Sequence, residues 1–100
     1  MIDIEHPGVM LKEDFLDDLE VKPGALAKSI GVDRTAIKNI IDGTRGISAE
    51  MSIRLGLFFG MSDTFWLNLQ RDYDLRLARR KRLIEFKANI TPLTELSKLE

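Results

Sequence analysis

The run from Leu26 to Gly43 constrains the fold more than any other part of the chain, because it specifies two short helices that meet at a sharp turn. Gly31 supplies a residue that tolerates positive φ at the turn. Val32 is apolar and can plug the turn, and the small Ala27 allows the two helices to approach closely. The second helix has an apolar stripe at i, i+3 and i+4 spacing, formed by Ile37, Ile40 and Ile41. Together these features predict a helix-turn-helix.

The rest of the chain also has helical patterning, interrupted by Gly, Pro and capping residues rather than by alternating β-branched runs. Helices are predicted at about Gly8–Leu19, Pro23–Ile30, Arg34–Asp42, Ala49–Phe59 and Asp63–Phe86, with a short last helix from Thr91-Pro92 to about Leu99. The N-cap candidates are Asp33, Ser48 and Ser62. The expected fold is all-α, with five helices, an extended fifth helix and a short C-terminal helix. Residues 1–86 form the predicted domain and residues 87–100 its tail.

The second helix of the motif has a polar outer face that suits DNA. At about 100° per residue, Thr35, Lys38 and Asn39 point away from the isoleucines, and Arg34 lies on the flank. Arginine can bind guanine and asparagine can bind adenine, each with two hydrogen bonds. Because the N-terminal end of such a helix enters the major groove, these four residues are predicted to read duplex DNA.

Flanking residues are candidates for the phosphate backbone. Thr44 and Arg45 follow the reading helix in a loop. Lys28 belongs to the first helix of the motif, and Lys22 directly precedes that helix. Other interpretations stay open at this point. Asp42 would suit an ordinary helical corner with a solvated face, and Arg45 would suit an ion pair with an acid of the fourth helix.

The charge is unevenly distributed, although the formal net charge is only −1. Residues 1–20 hold seven acids and one base, whereas residues 21–60 hold six bases and three acids. An acidic front before a basic middle indicates two different partners. The dense basic run Arg79–Arg82 fits a second DNA contact, an acidic partner or a solvated helix end.

Catalytic and metal chemistry are not expected. The chain has no cysteine and one histidine, so disulfides and thiolate metal sites are excluded and a zinc site is not expected. His6 lies beside Pro-Gly, without a nucleophile at motif spacing, and is predicted to be structural. We therefore predict no enzyme activity, metal or cofactor. With no apolar run near the ~20 residues that span a bilayer, a cytoplasmic protein is expected.

A stripe of apolar residues on the fifth helix predicts self-association. At about 1.5 Å per residue this helix would be longer than so small a domain, so part of it is expected to pack on a second copy. The residues predicted at that interface are Trp66, Leu69, Tyr73 and Leu77. A twofold dimer would match a palindromic operator.

Several runs resemble one family of proteins. They are HPGVMLKEDFL (6–16), LAKSIGVDRTAI (26–37), IDGTRGIS (41–48) and RLGLFFGMSDTFWLNLQRDYDL (54–75). They are similar to the HigA antitoxins, also called virulence-associated protein I, within the Xre/phage-repressor helix-turn-helix group. One departure is Val9, where the family more often has glutamate.

The resemblance implies a five-helix Xre/λ-repressor-like domain and a protein partner. Members of the family pair with a HigB toxin, an mRNA endonuclease of RelE-like fold, and repress the operon that encodes both proteins. A ribonuclease needs a basic surface, so the acids Asp14, Asp17 and Asp18, with Glu20 after them, are predicted to contact the toxin. The alternative is that these acids only solvate the first helix. A repressor without a toxin and a protein-interaction module are the alternatives.

Overall fold

The first helix begins where His6-Pro7-Gly8 places it, but it changes type within a few residues. In a computed structural model that describes residues 4–96, α1 spans Pro7–Met10 and continues as a π-helical segment, Leu11–Asp17. His6 is the N-cap, and its Nδ1 accepts the N–H of Gly8 at 3.0 Å. The wider π turn aligns side chains five residues apart, so Lys12 forms an ion pair with Asp17.

The two helices of the predicted motif are present. They are α2, Pro23–Ile30, and α3, Arg34–Ile41. Gly31 between them has a φ of 74°, the left-handed conformation that the turn requires. Asp33 occupies the N-cap position of α3, although its side chain makes no capping hydrogen bond. The helix ends at Ile41 rather than at the predicted Asp42.

A steric contact fixes α1 against α3. A Cβ on Gly8 would lie 1.8 Å from the carbonyl oxygen of Ile40, well inside any allowed contact. The absence of a side chain at this position therefore lets the backbones of the two helices touch, and Gly8 is buried.

The next helix, α4, spans Ala49–Phe59 as predicted. The hydroxyl of Ser48 accepts the N–H of Met51 at 3.2 Å, and Gly60 ends the helix with a φ of 71°. Ser52, which is fully buried, then joins α4 to the start of the following helix. Its hydroxyl donates to the carbonyl of Asp63 at 2.6 Å and accepts the N–H of Leu67 at 2.9 Å.

The long helix α5 spans Phe65–Asn89, and α6 spans Leu93–Leu96. The prediction that α5 begins at Asp63 with Ser62 as its cap is wrong. The Ser62 hydroxyl accepts the N–H of Thr64 in a local turn instead, at 3.2 Å. Because α5 continues past Phe86, the division predicted at residue 86 falls inside this helix. The predicted end of the last helix, Leu99, lies outside the described residues.

The core lies between α1, α2, α3, α4 and the first turns of α5. Its completely or almost completely buried members are Leu11, Leu16, Leu26, Ile37, Ile40, Leu55 and Trp66. Trp66 packs edge to face against Phe15, with ring centroids 4.9 Å apart. Its exposed fraction is 0%, so the prediction that Trp66 lies at a dimer interface is wrong. The volume of its side chain is used entirely inside its own protomer.

The principal dimensions are 61 × 27 × 21 Å, because α5 extends far beyond this core. Residues 4–96 are all-α, without strands, as the sequence predicts.

Candidate nucleic-acid interface

The outer face of α3 presents most of the side chains predicted to read DNA. Arg34, Thr35 and Lys38 are exposed, and Asn39 is half-buried. The opposite face is buried through Ala36, Ile37 and Ile40. The core therefore holds the helix on one side and leaves a polar side open along its whole length.

Arg34 lies where α3 meets the start of α2. A Cβ on Gly24 would be 2.8 Å from a guanidinium nitrogen of Arg34, so the glycine makes room for this side chain. The guanidinium group is consequently held against the first turn of α2 while the residue remains exposed. Lys28 lies one helical turn after Gly24 and is also exposed.

Lys38 has an acidic neighbour on the same helix face. Its Nζ lies 2.7 Å from a carboxylate oxygen of Asp42, and both side chains are largely exposed. An exposed ion pair of this kind contributes about 0–1 kcal/mol to stability. Lys38 can therefore exchange Asp42 for a phosphate at little cost.

A shallow groove between the π-helical segment, α2 and α3 is lined by four cations. Pro23, Gly24 and Ile41 line it together with Lys12, Lys22, Arg34 and Lys38. Lys12 is not predicted to belong to the interface from sequence, because it is the single base in an acidic stretch. The fold brings it next to cations of α3, which makes this edge of the interface more basic than the local sequence indicates.

The loop after α3 is tied closely to the end of that helix. The carbonyl of Asn39 accepts the N–H of Thr44 at 3.0 Å, the N–H of Arg45 at 3.2 Å and the Thr44 hydroxyl at 3.2 Å. The two backbone N–H groups and the hydroxyl proton of Thr44 are thus engaged, so the loop offers a ligand the exposed Arg45 side chain with the exposed Thr44 beside it. Among residues 4–96, no ion pair joins Arg45 to an acid of α4.

Two residues that the sequence did not assign to the interface support this loop from behind. The His6 ring packs against the loop, with its Cγ 3.7 Å from where a Cβ on Gly43 would lie. Burial lowers the pKa of His6 from 6.5, while the nearby Asp74 carboxylate and the backbone of Arg45 act in the opposite direction. On α5, the buried Gln70 accepts the N–H of Ile47 at 2.9 Å. A lone glutamine in a helical run carries no sequence signal for such a role.

The residues predicted to contact a toxin are on another surface. Asp14, Asp17 and Asp18 are exposed on the π-helical segment and just after it. Asp17 is partly neutralised by Lys12. Glu13 is exposed beside them, so the segment remains an acidic surface.

The remaining residues of the predicted dimer interface are half-buried on α5. They are Leu69, Tyr73 and Leu77. The ring of Tyr73 meets His6 edge to face, with centroids 5.0 Å apart. Beyond Leu77, large apolar side chains are exposed at Leu83, Ile84, Phe86, Ile90, Leu93 and Leu96.

The described part of the chain has neither a membrane-spanning helix nor a metal-binding cluster. Between residues 4 and 96, no helix has the length and apolar character that a membrane crossing requires. Within the same range, no three side chains of the metal-binding types come together.

Known proteins resemble this chain in sequence and in structure. No protein-family model matches it. Virulence-associated protein I of Dichelobacter nodosus is 39% identical over 75 residues, which are 75% of this chain and 69% of that protein. Antitoxin HigA-1 of Vibrio cholerae is 38% identical over 68 residues, which are 68% of this chain and 64% of that protein.

A solved structure extends the likeness to nearly the whole fold. The Pseudomonas aeruginosa antitoxin HigA, solved with the higBA promoter, superposes with a TM-score of 0.87 at 38% identity. The match covers 91% of this chain and 99% of that one. The relatives are antitoxins and helix-turn-helix regulators rather than enzymes. With this identity and coverage, the chain belongs to the HigA antitoxin family of helix-turn-helix proteins, which includes virulence-associated protein I.

Proposed function

We propose that the protein is a DNA-binding antitoxin that represses its own operon as a dimer and neutralises a RelE-like endonuclease of the HigB type. The observation that carries the proposal is the exposed polar face of α3, held in the same fold as a relative solved with its promoter. Palindromic duplex DNA, a second copy of the chain and the toxin are its partners.

DNA reading is assigned to the N-terminal part and outer face of α3. Arg34 suits a guanine edge, and Asn39 suits an adenine edge. Thr35 and Lys38 contact bases or phosphates beside them. Arg45 and Lys28 neutralise phosphates on either side, and Thr44 lies beside Arg45 in the phosphate-contacting loop. The basic groove adds Lys12 and Lys22 to that backbone contact.

The test of DNA reading is the affinity of purified protein for the DNA upstream of its own gene, measured by fluorescence anisotropy across salt concentrations. Arg34→Ala and Asn39→Ala should each cost about 1–3 kcal/mol if these residues read bases. Lys28→Ala should instead weaken binding to operator and to random DNA alike, and reduce the salt dependence.

A matched control is Glu50→Ala, because Glu50 is exposed in the first turn of α4 and has no assigned contact with DNA. Operator affinity unchanged in both the Arg34 and the Asn39 variants would refute the reading assignment. Equal affinity of the unaltered protein for operator and random duplexes would refute sequence-specific repression.

The dimer is supported by the exposed apolar continuation of α5. Ile84 is seven residues after Leu77, and two turns of an α-helix bring it to the same side. Ile84 is 88% exposed, whereas a soluble monomer seldom extends such a stripe into solvent. A second α5 packed along Leu69, Tyr73, Leu77 and Ile84 would cover it.

Toxin binding is assigned to the acidic surface of the π-helical segment. Asp14, Asp17 and Asp18 are exposed and can complement the basic surface that an endonuclease uses for RNA. Reversing the charge of Asp17 and Asp18 to lysine should weaken binding of the toxin encoded beside this gene, without weakening operator binding. Unchanged affinity for that toxin would refute the assignment.

A further inference from the structure

We propose that Gln70 is a positioning residue for operator binding, whose side-chain amide fixes the loop of residues 43–47 on α5 and so determines where Arg45 meets DNA. This rests on the proposed function, in which Arg45 contacts a phosphate. The inference assigns a role to a side chain that is too deeply buried to contact DNA itself, with an exposed fraction of 7%.

Both ends of the Gln70 amide are engaged. Oε1 accepts the N–H of Ile47 at 2.9 Å, and Nε2 donates to a carboxylate oxygen of Asp74 at 2.9 Å. Asp74 lies one turn further along the same helix and defines which way the amide faces. If the amide were flipped, its NH2 group would face the N–H of Ile47 and its oxygen would face the carboxylate of Asp74, so neither hydrogen bond could form. The observed orientation is therefore the one that satisfies both groups.

Packing holds the loop at the same point. A Cβ on Gly46 would lie 3.2 Å from both Cδ and Nε2 of Gln70, so the loop backbone rests directly on the amide. The next side chain, Ile47, is buried in the core with 3% exposure. The loop therefore enters the core at a place that Gln70 defines both sterically and by hydrogen bonding.

The other end of the loop is fixed to the reading helix through the Asn39 carbonyl. Arg45 consequently lies in a short loop whose two ends are held by α3 and α5, and the His6 ring packs against this loop at Gly43. Tyr73, on the next turn of α5 after Gln70, belongs to the proposed dimer stripe. Because operator half-sites are read about one DNA turn apart, a fixed geometry between the dimer helix and the phosphate-contacting loop bears directly on affinity.

A double-mutant cycle tests this coupling with the full-length chain. Gln70→Met keeps the length of the side chain and removes both hydrogen-bonding groups, whereas Arg45→Ala removes the proposed phosphate contact. Gln70→Met alone should weaken operator binding about tenfold, and it should add less than about twofold once Arg45 is absent, because contacts in one network are not additive. Operator affinity is measured by fluorescence anisotropy for all four proteins.

The salt dependence gives a readout that a merely structural role would not move. If both loops of a dimer lose their phosphate contact, the slope of log affinity against log salt should fall by about 2 in Gln70→Met, as in Arg45→Ala. The amide hydrogen of Ile47 should also exchange faster with solvent. Asn68→Ala is the matched control, since it removes an exposed amide from the same helix and should change neither quantity.

Gly46→Ala approaches the same contact from the loop side without removing a polar group, and it serves if Gln70→Met does not fold. It should lower operator affinity and the salt slope in the same direction, at an unchanged circular dichroism spectrum. Full affinity and slope in a folded Gly46→Ala or Gln70→Met protein, while Arg45→Ala is weakened, would overturn the positioning role and leave the proposed function intact. An equal loss from Gln70→Met with and without Arg45 would also overturn it. If Arg45→Ala, Arg34→Ala and Asn39→Ala all bind normally, the proposed function itself fails.

Discussion

The two ends of α5 differ in how far their side chains are buried. At the start of the helix, Trp66 and Gln70 are buried among the other helices. From residue 78 to residue 96 every described residue is exposed, including apolar ones such as Ile84 and Ile90. One continuous backbone thus passes from a closely packed core into a region without tertiary cover.

The two parts of the helix therefore contribute differently to the fold of a protomer. The first turns specify the fold of a single protomer, because their side chains fill the space between α1 and α4. The distal turns contribute little to that fold, since their apolar side chains remain in water. The half-buried residues Tyr73 and Leu77 mark the transition, and they belong to the proposed dimer stripe.

The largest expected effect is a loss of stability when a side chain in the buried first turns of α5 is truncated. Trp66→Ala removes the largest fully buried side chain, and substitutions of this type cost about 3–5 kcal/mol of unfolding free energy. Urea unfolding followed by circular dichroism would measure it. The exposed Leu57 of α4 provides the control, since Leu57→Ala should stay within about 0.5 kcal/mol. A Trp66→Ala protein as stable as the parent would contradict the burial described above.

The distal side of the comparison is tested by Ile84→Lys. Removing an isoleucine from a proposed apolar interface and adding a cation there should raise the dimer dissociation constant at least about tenfold, from a loss on the order of 1.5–3 kcal/mol. Analytical ultracentrifugation at several concentrations would measure it. Leu57→Lys introduces the same change on α4 and should leave association unchanged. A parent protein that stays monomeric at micromolar concentration would exclude the dimer.

The smallest expected effect concerns pH. Because burial lowers the pKa of His6, the folded state holds this proton less tightly than the unfolded state does. The contribution of His6 to stability is therefore complete above pH 6.5 and declines as the pH falls below that value, when a protonated Nδ1 can no longer accept the Gly8 N–H. Of the charged groups nearby, Asp74 opposes this decline.

His6→Asn is the matched variant for the pH effect. Asparagine is a good N-cap residue and does not titrate, so the variant should keep the cap and lose this part of the pH dependence. Thermal unfolding midpoints between pH 5 and 8 would measure the difference. Parallel curves for the two proteins would show that His6 does not titrate with folding.

The sequence predicts helix boundaries well where single residues dictate them. Pro23 and Gly31 define α2, and Ser48 and Gly60 define α4, because each residue acts through its own backbone or hydroxyl. The polar face of α3 follows from helical periodicity for the same reason. These features depend on neighbours a few positions away along the chain, which a sequence displays directly.

Other features are not dictated by any single residue, and the sequence does not predict them. The π-helical segment Leu11–Asp17 has no distinctive composition, and the choice between Ser62 and Thr64 at the start of α5 is made by a local turn. The position of Trp66 in the apolar stripe of α5 is equally compatible with burial in the core and with a place in a dimer interface. Gln70 acquires its role from Ile47, which is distant along the chain, so no local pattern could reveal it.

The contact of Gly8 with the Ile40 carbonyl shows that a residue can be essential for the placement of an interface without touching the ligand. Gly8 carries no functional group and is assigned no part in binding DNA. Nevertheless, the placement of the reading helix depends on the absence of a Cβ atom at this position. A substitution matrix would rank glycine to alanine among the mildest exchanges, yet at this site a single methyl group is as intolerable as a large side chain. Position 8 should therefore accept one amino acid only, for a reason that an inventory of DNA contacts would never include.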